Sequence, residues 1–229
     1  MHLPTRTLRR AWRSVQRAVQ SRALRRLPPG SRLHVGCGSM RLEGWANIDR
    51  FPSPAADFIY DVRYGMPARE LSYIYAEHFL EHLSYSDSMK FLRDCRTALG
   101  TNGVLRLSTP NLDWVYRTQY HPNEWNSDHD AVRDCFWMNK AFRAWGHQFL
   151  YNMPTLRSAL REAGFATIEQ CAFRESKHDA LRDLEQHETW QDLPDLPHVL
   201  IVEAHGSSTS GEPMLEELAS DYLLASSAR

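Results

Sequence analysis

"LHVGCGSMRLEGWANID", Leu33 to Asp49, is the stretch whose reading decides the fold. An apolar run, Arg32–Gly36, enters a turn with glycine at 36 and 38, and a second strand-like run, Trp45–Ile48, follows almost at once. Glycine after a first strand lets the backbone approach a ligand closely. In an open α/β sheet that ligand lies beyond the carboxyl ends of the strands. The spacing tests which ligand. A dinucleotide fingerprint, G-x-G-x-x-G, needs glycine at position 41, where Arg41 stands. Its ribose-binding acid follows roughly 20 residues on, and Asp49 comes far sooner. Residues 39–44 allow at most about one helical turn at ~3.6 residues per turn, too little to present a helix N-terminus to a pyrophosphate. The pattern suits a nucleoside cofactor without phosphates better than NAD, and the P-loop pattern is absent.

Working outward, further β-type runs occupy Asp57–Tyr60, Tyr73–Ala76 and Gly103–Ser108, then 165–173 and His198–Ala204. Helical periodicity marks 86–99 through Met89, Phe91, Leu92, Cys95 and Leu99, and 154–163 between Pro154 and Gly164. Gly100–Gly103 reads as a turn. Strands alternating with helices predict a mostly parallel sheet covered on both faces. Residues 111–150, rich in aromatics and histidine, and 174–197, with Trp190 and Pro194, break the alternation and read as lid insertions.

The first segment is distinct. From Met1 to Leu42 there is no Asp or Glu, while eight arginines lie between Arg6 and Arg26. Leu8, Trp12, Val15, Val19, Ala23 and Leu27 recur at helical steps, predicting a basic amphipathic helix over 5–27 that Pro28-Pro29-Gly30 ends. It reads as a brace on the domain, with an anionic membrane surface, RNA or a partner protein as the functional alternatives. The division expected is 1–30 for this helix, 31–205 for the main domain and 206–229 for a linker with a tail helix.

Net charge over 229 residues is −1, which disfavours nucleic acid as a partner for the whole chain. Cys37, Cys95, Cys135 and Cys171 are widely spaced with no CxxC pair. They exclude a zinc ribbon or disulfide framework and suit a cytoplasmic protein, peripheral at the inner membrane face if the basic helix binds lipid. No apolar run is long enough to span a bilayer.

"VGCGS", "GWANID", "ADFIYDV", "HFLEHL" and "TPNLDW", in that order, resemble the class I S-adenosylmethionine-dependent methyltransferases, in particular small bacterial methyltransferase-like proteins of polysaccharide or secondary-metabolite pathways. The resemblance covers about residues 31–115 and continues more weakly to "VLIVEAHG". It implies a Rossmann-like α/β fold with a mostly parallel seven-stranded sheet, the last strand antiparallel. It implies S-adenosyl-L-methionine held by Gly36, Cys37, Gly38, Asp49, Asp61, Val62 and Glu77. Met40 stands where many members have a further glycine.

Transfer to an alcohol needs a base or a metal. "EHFLEHL" supplies His78, Glu81 and His82, which share one face if the stretch forms a helical turn, and His147 in "AWGHQFL" can join them. "HxxEH" resembles the "ExxEH" signature of metal-using O-methyltransferases, so His78, Glu81 and His82 are candidate ligands for a divalent metal. Two imidazoles and a carboxylate suit zinc, manganese or iron better than magnesium. A structural cap is the competing role for the cluster. Asp113 and Trp114 are candidate substrate contacts. The expected acceptor is a hydroxyl on a sugar, glycolipid or small natural product. RNA methylation and a non-catalytic binding domain stand as alternatives.

Overall fold

The structure is a computed structural model that describes residues 5–186, 193–209 and 213–227. Trp190 and the neighbouring part of the second insertion lie outside the described residues. Seven strands form one sheet: β1 (Arg32–Val35), β2 (Ala46–Asp49), β3 (Phe58–Ile59), β4 (Leu71–Glu77), β5 (Leu99–Pro110), β6 (Thr167–Gln170) and β7 (Val199–His205). Their order is β3-β2-β1-β4-β5-β7-β6, parallel except for β7, which runs antiparallel to both neighbours. This is the Rossmann-like class I methyltransferase sheet. Helices α1 (Thr5–Leu24), α2 (Tyr85–Ala98), α3 (Leu112–Gln119), α4 (Asp128–Arg143), α5 (Met153–Glu162) and α6 (Pro213–Ser227) complete it.

Strand order reverses between β1 and β4, so the crevice that binds ligands opens above their carboxyl ends. One sheet face packs conventionally: Leu33, Val35, Ile74, Leu105 and Leu107 meet Phe91, Leu92 and Cys95 of α2 and Leu156 and Leu160 of α5. Serine and asparagine caps start these helices, Ser84 accepting from the Asp87 N–H and Asn152 from the Thr155 N–H.

The other face is different. Asn47, His34, Tyr75, Arg106, Glu203 and Glu169 stand opposite one another across β2, β1, β4, β5, β7 and β6. Register places this polar row on one side of the sheet. His34 Nδ1 lies 3.0 Å from Asn47 Oδ1, and Arg106 bonds Glu185 Oε1 at 2.6 Å and Glu203 Oε1 at 2.5 Å. Burial lowers the pKa of His34. The cover of this face is irregular chain. Residues 39–44 form no helix, only turns, and 174–186 folds down through Glu185 and Leu181 onto Trp45, Tyr75 and Val104.

Three local expectations change. Residues 111–150 hold two helices, α3 and α4, in which only Val115 and Asp134 are buried. Gly100–Gly103 is part of β5, whose pairing with β4 shifts register between Leu71 and Tyr73. In α1, Leu24 enters the core while Val15 and Val19 face solvent, so the apolar stripe is not buried along its length. The tail helix α6 packs through Tyr222, whose ring meets Tyr85 and Phe149.

Candidate active site

Two clefts meet at the carboxyl ends of the central strands. The smaller, about 400 Å³, is lined by Gly36, Asp49, Asp61 and Val62 among others. The turn after β1 is pinned to β2, with the Gly36 and Cys37 N–H groups donating to the Ile48 carbonyl at 2.9 and 3.1 Å. Gly36 has φ +69°, and a Cβ there would lie 2.5 Å from Phe79 Cδ2, so the position requires glycine. Gly38 has φ +52°, and its N–H donates to Asp49 Oδ2 at 3.0 Å. The Phe51 N–H donates to Asp49 Oδ1 at 2.7 Å. Asp49 thus closes the glycine loop, which explains its short distance in sequence. Each carboxylate oxygen retains acceptor capacity for a ribose hydroxyl.

Asp61 caps the short 3₁₀ turn Val62–Tyr64 and is held from both oxygens by Arg63, at 2.9 Å (Oδ1 to Nε) and 2.5 Å (Oδ2 to Nη2). Burial opposes its ionisation, but the Arg63 bonds prevail and hold the carboxyl below its ordinary pKa. Cys37 is buried, and desolvation, followed by the nearby Asp49 charge, pushes its thiol up to about 11. It is a packing residue of the loop rather than a nucleophile. A nucleoside cofactor fits this donor set: a glycine turn in which Gly36 admits no Cβ while open space lies beside Gly38, and a fixed carboxylate at the second strand's end. Gly38, Cys37 and Glu77 line the larger cleft instead, and Glu77 Oε1 accepts from the Gln186 N–H at 2.8 Å.

The larger cleft, about 830 Å³, is bounded by Trp114 and Val115 of α3, Trp137, Lys140 and Ala141 of α4, and Leu150. Gly36, His78, His82 and Trp145 line both clefts. His78 is not on a helical turn with Glu81. Its φ is +45°, and only Leu80–His82 form a 3₁₀ turn. His78 Nδ1 nevertheless lies 3.1 Å from Glu81 Oε1. Glu81 is wholly buried, and its Oε2 accepts from the Thr109 hydroxyl at 3.0 Å. Thr109, at the end of β5, escaped the sequence reading because nothing local marks it.

His147 reaches this cluster because residues 147–149 return along the 3₁₀ turn. The Gln148 N–H donates to the Glu81 carbonyl at 2.7 Å, and Gln148 Nε2 to the His82 carbonyl at 2.5 Å. The His82 and His147 rings sit edge to face, 5.2 Å apart. His147 Nδ1 lies 2.8 Å from the Ala141 carbonyl. A carbonyl only accepts, so Nδ1 carries the proton and Nε2 the lone pair when the ring is neutral. Glu81, His82 and His147 offer donor atoms within 4.8 Å of one another, the ligand grouping found among the described residues. His78 is outside that grouping. Trp114 packs on His198 at the cleft wall, whereas Asp113 lines a separate groove with Tyr116 and Arg117.

A seven-stranded sheet of this order, with a glycine turn and a second-strand acid at its switch point, is the class I methyltransferase type of Rossmann-like fold. Residues 6–170 match the family model described as a methyltransferase domain, and the chain belongs to that family. The chain therefore carries a methyltransferase domain. No curated protein matches the chain. Among solved structures it is similar to an S-adenosylmethionine-dependent methyltransferase from Mesorhizobium loti, with 19% identity over 82% of this chain and 97% of that one and a TM-score of 0.45. It is also similar to LepI in complex with SAM, with 8% identity over 79% of this chain and a TM-score of 0.42, and it spans 44% of LepI's length. PigF with SAH is similar at 11% identity over 77% of this chain and 50% of PigF, with a TM-score of 0.44.

Proposed function

We propose that the protein methylates a hydroxyl of a sugar, glycolipid or small natural product. The observation that carries this reading is the histidine cluster where the two clefts join. When bound, S-adenosylmethionine supplies the transferable methyl group, and the chain's own residues align the acceptor and hold its proton. Gly36, Cys37, Gly38, Asp49, Asp61, Val62 and Glu77 are the proposed cofactor neighbours, with Asp49 toward the ribose. His78, oriented by the buried Glu81, takes the hydroxyl proton; His82 and His147 position the acceptor, and Trp114 flanks it. Asp113 touches an acceptor only if that acceptor extends into the neighbouring groove.

A second reading uses a divalent metal at Glu81, His82 and His147. Their convergence favours it, and an ion there would lower the pKa of the acceptor hydroxyl. The Glu81 carboxylate is already engaged by Thr109 and His78, which favours the metal-free version. The two separate experimentally in a screen of labelled methyl transfer to glycan and lipid fractions. A chelator spares activity in the metal-free version and abolishes it in the other. His78→Ala should lower turnover by about 10²–10⁴-fold, the usual worth of a general base. If His78→Ala and His82→Ala both keep full turnover at normal cofactor affinity, the cluster is a structural cap and both versions fail. Cofactor binding with no turnover on any fraction would favour a non-catalytic domain.

Residues 1–30 are proposed as a brace, 31–205 as the catalytic domain and 206–229 as linker and tail. Among the described residues no helix is long and apolar enough to cross a membrane. The basic face of α1 and the four free thiols fit a cytoplasmic protein that touches an anionic inner-membrane face or a protein partner weakly. RNA as acceptor requires salt-dependent affinity that is lost on deleting residues 1–27.

A further inference from the structure

Among the described residues, five other than glycine have a positive φ, and two of them, His78 and Trp145, line both clefts. His78 has a role in the proposed chemistry; Trp145 has none. Its φ is +58° and its ψ +7°, in the left-handed region where a bulky side chain is a steric outlier. Such strain gathers at functional sites, where the surrounding structure holds it in place. The anchors are present. The His147 N–H donates to the Ala144 carbonyl at 3.2 Å, His147 Nδ1 to the Ala141 carbonyl at 2.8 Å, and the Gln148 N–H to the Glu81 carbonyl at 2.7 Å.

Burial does not account for the indole, because Trp145 is 70% exposed. The His147 ring at 5.7 Å and Lys140 Nζ at 5.5 Å flank it without covering it. A turn that needed this backbone alone would form at lower cost with asparagine, which tolerates the left-handed region. What the tryptophan adds is an apolar ring at the boundary of the two clefts. The 111–150 insertion reaches the smaller cleft through Trp145, Gly146 and Gln148, and the rest of that cleft's wall comes from chain between Val35 and Leu83. Gly146 has no side chain, and Gln148 Nε2 is spent on the His82 carbonyl. Trp145 is therefore the side chain that the insertion leaves for a ligand in the smaller cleft.

We infer that Trp145 is a cofactor-contacting residue: a nucleoside held in the smaller cleft buries the indole, which covers the ligand from the side of the insertion. The inference rests on the nucleoside-cofactor reading of that cleft. The test measures S-adenosylhomocysteine binding by calorimetry, and the melting temperature, on the full chain and two variants. Trp145→Asn should lower affinity by about tenfold or more. Its melting temperature should hold or rise, because backbone strain is relieved and little burial is lost. Trp145→Phe keeps an aromatic plane and should retain most of the affinity. A tryptophan with a purely structural role would give the reverse, a lower melting temperature at unchanged affinity. S-adenosylhomocysteine should also shield tryptophan emission from acrylamide in the wild type and not in Trp145→Phe. The inference is overturned if Trp145→Asn keeps the wild-type affinity, if affinity and melting temperature fall together, or if the shielding persists unchanged in Trp145→Phe. A wild type that binds neither S-adenosylmethionine nor S-adenosylhomocysteine sinks the cofactor reading itself, and this inference with it.

Discussion

Asp49 does two things with one carboxylate. It receives the Gly38 and Phe51 N–H groups, which hold the glycine loop shut, and it faces the smaller cleft. Hydrogen bonds to a charged group contribute ~1.5–3 kcal/mol each. Asp49→Ala should therefore weaken S-adenosylmethionine binding by about 2–4 kcal/mol, roughly 30- to 1000-fold. Calorimetry that returns the wild-type affinity for this variant would end the assignment of Asp49 to the ribose. Asp61 is a contrasting residue. Its position at the third strand's end was legible, but its engagement with Arg63 was not, because the arginine is two residues away and could point anywhere.

At the scale of elements, the α3–α4 pair depends on a single buried acid. Asp134 Oδ2 accepts from the His121 N–H at 2.8 Å and from Trp125 Nε1 at 3.0 Å, while Arg133 approaches Oδ1 at 3.1 Å. The Trp125 bond first, then the His121 N–H, lower its pKa to about 2. All these partners favour the carboxylate, so the native state binds its proton less readily than the unfolded chain, where Asp titrates near ~3.9. The stabilisation is present above about pH 4 and lost as pH falls through about 2. Trp125 emission should report the loop loosening in that window at constant ionic strength. Asp134→Asn should loosen the loop already at neutral pH and abolish the acid step. A wild-type acid step that persists unchanged in Asp134→Asn would place its origin elsewhere. None of this was visible in composition, since the loop and the acid are nine or more residues apart.

On the scale of the whole molecule, Arg106 joins β5, β7 and the 174–186 segment through Glu203 and Glu185. Removing one member of a buried ionic group costs about 3–5 kcal/mol because the remaining charges are stranded, while replacing all members with apolar groups of similar volume can be neutral. Arg106→Met should lower stability by about that amount, and Arg106→Met/Glu185→Leu/Glu203→Leu should recover most of it. Denaturant titration checks both. A single variant as stable as wild type would mean that the triad does not hold the segment down.

What the sequence alone determined is local. The glycine turn, the early acid, apolar strand runs and two helices with one buried face report their own environment, since periodicity and turn chemistry act within a few residues. From these the sheet and the family were readable. Only the tertiary structure decided which polar residues meet. His147 arrives beside His82 because 147–149 folds back along the 3₁₀ turn, Thr109 faces Glu81 from another strand, and Arg106 finds Glu185 across 79 residues. Helices α3 and α4 were hidden for the same reason. Helix α4 buries only Asp134, which gives it a weak apolar period, and only chain packing placed it over the larger cleft.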